Sequence, residues 1–276
     1  MKQRIITAGV ALIILACVLF WLDTVIFNVA IAVIAVLATN ELLLATKYVE
    51  NKVLSCVSLL FVALVPFFHT ATLTPVRNIL IYGFIIVLFV ILLIRHRTLR
   101  IEQVGLVFMV STLIPYALST LVYMRNDHED HALFYILLTL AGAWVGDSGA
   151  YFIGSLLGKH PLAPGISPKK TVEGLIGGLA STVLSFLLLG YLYSLYCGSL
   201  GLSVTIVYGW LPVLAVVCGL LGVLGDLSAS IIKRQCAIKD FGNIMPGHGG
   251  ILDRFDSVLF VAPFMFIALQ VVHIIQ

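Results

Sequence analysis

Long apolar runs, broken by short polar segments, set the pattern of the chain. A helix needs roughly 20 apolar residues to cross the hydrocarbon core of a bilayer. Reading for such runs gives Ile5 to Leu22, Thr24 to Leu44, Val53 to Phe68, Ile79 to Ile94, Val104 to Met124 and Ala132 to Leu157. Three more follow, at Gly174 to Tyr196, Ile206 to Ile232 and Ser257 to Ile275. The third and fourth runs are short, and the sixth and eighth each contain a carboxylate. No long polar stretch separates them, which leaves no room for a soluble domain. The pattern predicts an all-α, polytopic integral membrane protein of about nine transmembrane helices.

Composition agrees. Of 276 residues, 61% are hydrophobic and only 11% charged, and the mean hydropathy is +1.12. Soluble domains carry about a quarter charged residues, and disordered chains are richer still in polar groups, so both classes are excluded. The 23 glycines suit close packing of membrane helices. Cys17, Cys56, Cys197, Cys218 and Cys236 are odd in number and scattered, which argues against a disulfide framework and a thiolate metal site.

Charge placement gives direction. Lys2 and Arg4; Lys47 and Lys52; Arg95, Arg97 and Arg100; Lys159, Lys169 and Lys170; and Lys233, Arg234, Lys239 and Arg254 fall on alternate segments. Only Arg77 and Arg125 fall on the other side. Basic residues mark the cytoplasmic face, so the N-terminus is expected in the cytoplasm and the C-terminus outside. Lys2 and Arg4 before an apolar stretch resemble a signal peptide, but no small-residue cleavage site follows, and we expect a retained helix.

Carboxylates inside membrane helices are costly and usually functional. Glu41, Asp147 and Asp226 are such residues. For Glu41, close to a helix end and to Lys47, a structural role and a functional one weigh equally. Asp147 lies among small residues, which admit a close approach of backbone or ligand. Two polar segments hold most of the remaining chemistry. From Gly158 to Gly174, three prolines, Lys169, Lys170 and the hydroxyls of Ser167 and Thr171 suit an ordered anion-binding loop at a helix N-terminus. A topology signal explains the lysines but not the hydroxyls or the prolines. From Gly225 to Asp256, Asp226, Ser230 and Lys233 share one helical face, and Asp253 and Asp256, three apart, share a face of the ninth helix as it begins. Converging carboxylates with hydroxyls and no cysteine describe a hard-cation site, most simply Mg²⁺. Gly249 and Gly250 let backbone approach a phosphate, and His248 is expected to hydrogen-bond one. Lysines and arginines beside such a cation equip a site for phosphoryl or nucleotidyl transfer. On the opposite side, His128 and His131 bracket a His-Glu-Asp-His stretch, a weak metal candidate more simply read as solvated.

The segment Ser230, Lys233-Arg234, Lys239-Asp240, His248-Gly249-Gly250 and Asp253-Arg254-Phe255-Asp256 resembles the signature of the phosphatidate cytidylyltransferases, or CDP-diacylglycerol synthases. Asp147 to Tyr151 and Ser167 to Thr171 are similar to that family too. The resemblance is strong over the C-terminal half. Ala229 departs from it, standing where family members often have Glu, and Met245 stands where Leu, Ile or Phe is usual. The resemblance implies the reaction of CTP with phosphatidate to give CDP-diacylglycerol and pyrophosphate, in a polytopic helical homodimer. Residues 1–130 would then be N-terminal transmembrane helices and 131–276 the catalytic region with cytoplasmic motif loops. On this reading Asp226, Asp253 and Asp256 hold one or two cations, Mg²⁺ with K⁺ as a candidate for the second, and Asp147 is a further contributor. Lys169, Lys170, Lys233, Arg234 and Lys239 hold phosphates, while Ser167, Thr171 and Ser230 donate hydrogen bonds. Substrates are CTP and a bilayer lipid; no nucleic-acid partner is expected. Short loops point to a bacterial inner (plasma) membrane. Rival readings are a CTP-dependent transferase or kinase for another lipid, a secondary transporter, which the lack of an internal repeat disfavours, and an inert scaffold subunit.

Overall fold

The computed structural model describes residues 2–47, 51–247 and 249–276. Its helices are α1 (Lys2–Phe20), α2 (Val25–Thr46), α3 (Lys52–Leu64), α4 (Arg77–Ile94), α5 (Ile101–Asp127), α6 (Ala132–Leu157), α7 (Val172–Ser199), α8 (Trp210–Gln235), α9 (Leu252–Phe255) and α10 (Val258–Val271). A short antiparallel hairpin, β1 (Pro161–Ala163) and β2 (Ser167–Thr171), joins α6 to α7. Each of the nine apolar runs contains a helix. Among the described residues, seven helices are long and apolar enough to cross a membrane, and Ile6–Phe20 and Lys52–Phe67 are shorter apolar helices. The chain is an all-α, multi-pass membrane protein.

By contact the chain forms two compact units: Met1–Tyr123 with Gln235–Arg254, and Met124–Arg234 with Phe255–Gln276. The signature loop between α8 and α9 therefore groups by contact with the N-terminal helices.

In the first unit, polar residues start the helices between apolar runs. The Thr24 side chain accepts the Ile26 amide at the head of α2, and Asn51 accepts those of Val53 and Leu54 at the head of α3, satisfying donors that a helix start leaves unpaired. Leu54, Phe61, Phe84 and Leu88 are buried in its core, where the rings of Phe61 and Phe84 stack with centroids 4.0 Å apart. Ile79, Leu93 and Ile94 of α4 point outward with about 70% of their surface exposed, as residues in contact with lipid chains do.

In the second unit, α6 and α7 pack antiparallel along glycines. A Cβ placed on Gly178 would lie 2.6 Å from the Gly146 carbonyl oxygen, and one on Gly177 would lie 2.5 Å from Ile153 Cβ. Lipid is as apolar as leucine, so helices in a bilayer associate through such close backbone approach rather than through hydrophobic burial. Leu184, Leu188 and Leu195 of α7 are accordingly exposed. Two run ends differ from the sequence pattern. α8 begins at Trp210 and α10 stops at Val271, because Ile206 and Ile275 form an antiparallel bridge. The Val207 amide donates to Ile274 O (2.8 Å) and the Thr205 amide to Gln276 O (2.9 Å). The β-branched residues Val272, Ile274 and Ile275 favour this extended pairing over another helical turn.

Candidate active site

Within the second unit, three elements bring carboxylates around one ammonium. Asp147 comes from α6, Lys170 from β2 and Asp226 from α8. Lys170 Nζ lies 2.6 Å from Asp226 Oδ2 and 3.8 Å from Asp147 Oδ1. Asp256 joins them from the turn between α9 and α10. It is buried, and the charges of Asp226, Asp147 and Lys233 all bear on it. Gly225 makes this possible: a Cβ there would lie 2.5 Å from the Asp256 carbonyl oxygen and 2.9 Å from Ser257 Cα. With no side chain at 225, α8 lies directly on the Asp256–Ser257 backbone, and the next residue, Asp226, faces the cluster.

Ser257 was read from sequence only as the start of a helix, yet it belongs to this group. Its hydroxyl donates to Gly222 O (3.1 Å) and lies 3.4 Å from Asp147 Oδ2 and 3.5 Å from Asp256 Oδ1, while its amide donates to Asp256 Oδ1 (2.8 Å). The missing signal was the helix break at Asp256–Ser257, which no glycine or proline announces. A narrow crevice between α6, α7 and α8, lined by Gly142, Gly146, Gly178, Gly219 and Gly222, opens beside Asp147.

The hairpin is held independently. Glu173 accepts from the Lys159 and His160 amides (3.0 and 3.2 Å) and from His160 Nδ1 (2.6 Å). Thr171 caps α7, its hydroxyl oxygen accepting the Gly174 amide at 3.1 Å. Ser167 is half-buried and Lys169 exposed on β2. Arg234 makes a long contact, 3.5 Å, with Ile166 O at the hairpin turn. α8 runs unbroken through Asp226, Ser230 and Lys233, so these three do share a helical face.

The first unit holds the rest of the signature. Asp253 is buried, and its Oδ2 accepts the amides of Phe241 (2.9 Å) and Gly250 (3.0 Å). Sequence spacing put Asp253 and Asp256 on one face of a continuous helix. The structure corrects this: α9 ends at Phe255 and α10 begins at Val258. Gly249, at φ +87, passes between two acids, since a Cβ there would lie 3.0 Å from Asp253 Oδ2 and 3.3 Å from Asp240 Oδ1. Lys239 is exposed. His248 lies outside the described residues. Glu41, evenly weighed from sequence, is buried in this unit with both carboxylate oxygens on backbone amides of the signature loop, Ile251 (3.0 Å) and Leu252 (2.9 Å). No sequence signal joins residues 210 positions apart.

At the N-terminal end of α6, His131 Nδ1 pairs with the Tyr193 hydroxyl at 2.7 Å, and His128 stands edge-on to Tyr135. Burial lowers the His128 pKa from its ordinary value, against the opposing pull of Asp127. These histidines are docked on aromatic rings rather than simply solvated.

Asp147, Asp226, Asp256 and the Ser257 hydroxyl are oxygen donors only, the kind a hard cation takes. Among the described residues, no three His, Cys, Asp or Glu side chains form a metal-holding group. This donor set fits Mg²⁺, which keeps several waters and takes one or two carboxylates plus substrate phosphates, and does not fit an all-protein cage.

Carboxylates, a hydroxyl and an ammonium, carried by α6, α8, β2 and the turn before α10, make a polar cluster suited to phosphate chemistry. The model of the Cytidylyltransferase family matches residues 2–272, and the chain belongs to that family; it is a nucleotidyltransferase. It is 35% identical over 275 residues to the phosphatidate cytidylyltransferase of Bacillus subtilis (strain 168), covering 98% of this chain and 97% of that one. It is 43% identical over 143 residues to the phosphatidate cytidylyltransferase of Staphylococcus aureus (strain COL), covering 52% of each chain. It is 40% identical over 164 residues to that of Haemophilus influenzae, covering 58% of this chain and 54% of that one.

Proposed function

We propose that the protein transfers the cytidylyl group of CTP to phosphatidate, giving CDP-diacylglycerol and pyrophosphate. The observation that carries this reading is the cluster of Asp147, Lys170, Asp226 and Asp256, in a chain that aligns along its whole length with a phosphatidate cytidylyltransferase. A phosphatidate oxygen attacks the α-phosphorus of CTP, the bond from that phosphorus to the bridging oxygen breaks, and pyrophosphate leaves with the electron pair. The attacking phosphate is already ionised near neutral pH, so no strong general base is needed.

Each group has a role in that displacement. Asp226 and Asp256, with Asp147 beside them, would hold Mg²⁺. Bound there, Mg²⁺ supplies positive charge to the triphosphate and the departing pyrophosphate. Lys170, poised against the acids, moves its ammonium onto a substrate phosphate, joined by Lys169, Lys233 and Arg234. Asp253 shapes the loop of Gly249 and Gly250, and Lys239 and His248 meet phosphate from that loop; Ser167 and Ser230 donate hydrogen bonds. The same acids would hold one or two cations, K⁺ being a candidate for the second. The site faces the cytoplasm of a bacterial inner membrane, a placement supported by the lysine and arginine bias of the loops, and the protein works as a homodimer. The test is purified protein with CTP, phosphatidate and Mg²⁺. Pyrophosphate release should require all three and stop on chelation with EDTA. Release without phosphatidate, or undiminished by EDTA, would overturn the assignment.

A further inference from the structure

We infer that Glu41 is a positioning residue that pre-organises the signature loop, residues 241–253, for the nucleotide. The inference rests on the proposed cytidylyl transfer for its kinetic consequence, but its structural basis is independent. A carboxylate is costly in a helix otherwise fit to cross a bilayer, and Glu41 sits in α2 with 4% of its surface exposed. Both its oxygens are spent on the loop backbone, Oε1 on the Ile251 amide and Oε2 on that of Leu252. The loop is built to receive it. A side chain at Gly242 or at Gly250 would collide with the Glu41 carboxyl group, so two glycines eight positions apart close around one acid.

The loop has further ties, and they converge. Asp253 Oδ2 gathers the amides of Phe241 and Gly250, the Met245 amide donates to Gly249 O (3.0 Å), and Thr7 Oγ1 of α1 donates to Pro246 O (3.0 Å). Asp253 closes the loop on itself, while Glu41 anchors it to a membrane helix. Without that anchor the loop samples conformations that do not bind, and the apparent affinity for its ligand falls in proportion to the fraction that remains competent. A saturating ligand restores the order. Loss of Glu41 therefore raises KM for CTP and leaves kcat and KM for phosphatidate nearly unchanged. A residue needed only for folding would lower the amount of active protein and leave both KM values alone.

The variant is Glu41→Gln, whose one carbonyl oxygen can take one amide while its NH₂ faces the other. Gly242→Ala is the second variant, pressing a methyl group on the intact carboxylate. In each, KM for CTP should rise by about ten-fold, the effect of a loop that is competent about a tenth of the time. Hydrogen exchange at the Ile251 and Leu252 amides should accelerate, while exchange in α8 stays as in the unaltered protein. Both KM values within two-fold of that protein in both variants, or a fall in kcat with KM for CTP unchanged, would overturn the inference. If the unaltered protein makes no CDP-diacylglycerol, the proposed function fails instead. The exchange measurement then decides the anchor alone: unchanged protection at residues 251 and 252 refutes it.

Discussion

Asp226 and Asp253 have the same side chain and different work. Asp226 faces the Lys170 ammonium at 2.6 Å beside two other acids, so its charge is what matters. Asp253 is an acceptor for two amides through a single oxygen, a task a carboxamide oxygen performs with a weaker bond. Asp226→Asn should lower turnover by about 10²–10³-fold or more, the scale of removing one preorganised electrostatic contact. Asp253→Asn should keep measurable activity, with a loss of about 10–100-fold from weakened charged hydrogen bonds. Initial rates at saturating CTP compare the two, and equal losses would show that Asp253 contributes charge to the reacting phosphates. Lys170→Met should also cost about 10²-fold in turnover, because it removes a phosphate-directed charge from the cluster. The residue types of this cluster were legible from sequence, since acids are rare in apolar helices. Ser257 and the partners of Glu41 were not, because their contacts depend on a helix break and on a pairing across 210 positions.

At the scale of elements, the helices followed from run length alone, and α6 has the bounds the sequence pattern gave it, Ala132–Leu157. Where the pattern misplaced an end, tertiary pairing had won: Ile206 and Ile275 bridge as extended chain, a choice invisible in hydropathy. The hairpin of β1 and β2 was legible only as an ordered loop, because three prolines and two lysines carry no strand periodicity. The glycine count pointed to close packing of helices in general, and the structure places one such seam between α6 and α7. Gly178→Leu inserts a side chain where a Cβ already meets the Gly146 carbonyl oxygen at 2.6 Å. Overpacking of this kind costs about 1–3 kcal/mol, so the variant should unfold at lower temperature in detergent, read by thermal denaturation. A matching change at Gly83, whose surroundings hold nothing within 4 Å, should leave the midpoint unchanged.

For the whole molecule, an uneven distribution of few charges is the organising fact. Fourteen of sixteen basic residues fall on alternate segments, a bias from which the proposed function takes an orientation with α1 starting in the cytoplasm. Single cysteines in a background lacking the native ones measure it: a cysteine at Arg97 should react with a membrane-impermeant maleimide only after the membrane is opened, and one at Arg77 without opening. The reverse pattern would invert the topology and put the catalytic acids on the wrong face for CTP.

The central claim, that a cytidylyl group and not a terminal phosphate is transferred, is tested most directly by following label. CTP carrying ³²P at the α-phosphate, or separately at the γ-phosphate, is supplied with phosphatidate and Mg²⁺ to the purified protein. The account predicts that α-label enters lipid as CDP-diacylglycerol while γ-label leaves as pyrophosphate. Entry of γ-label into lipid, with α-label remaining in a soluble nucleotide, would make the protein a lipid kinase and contradict it.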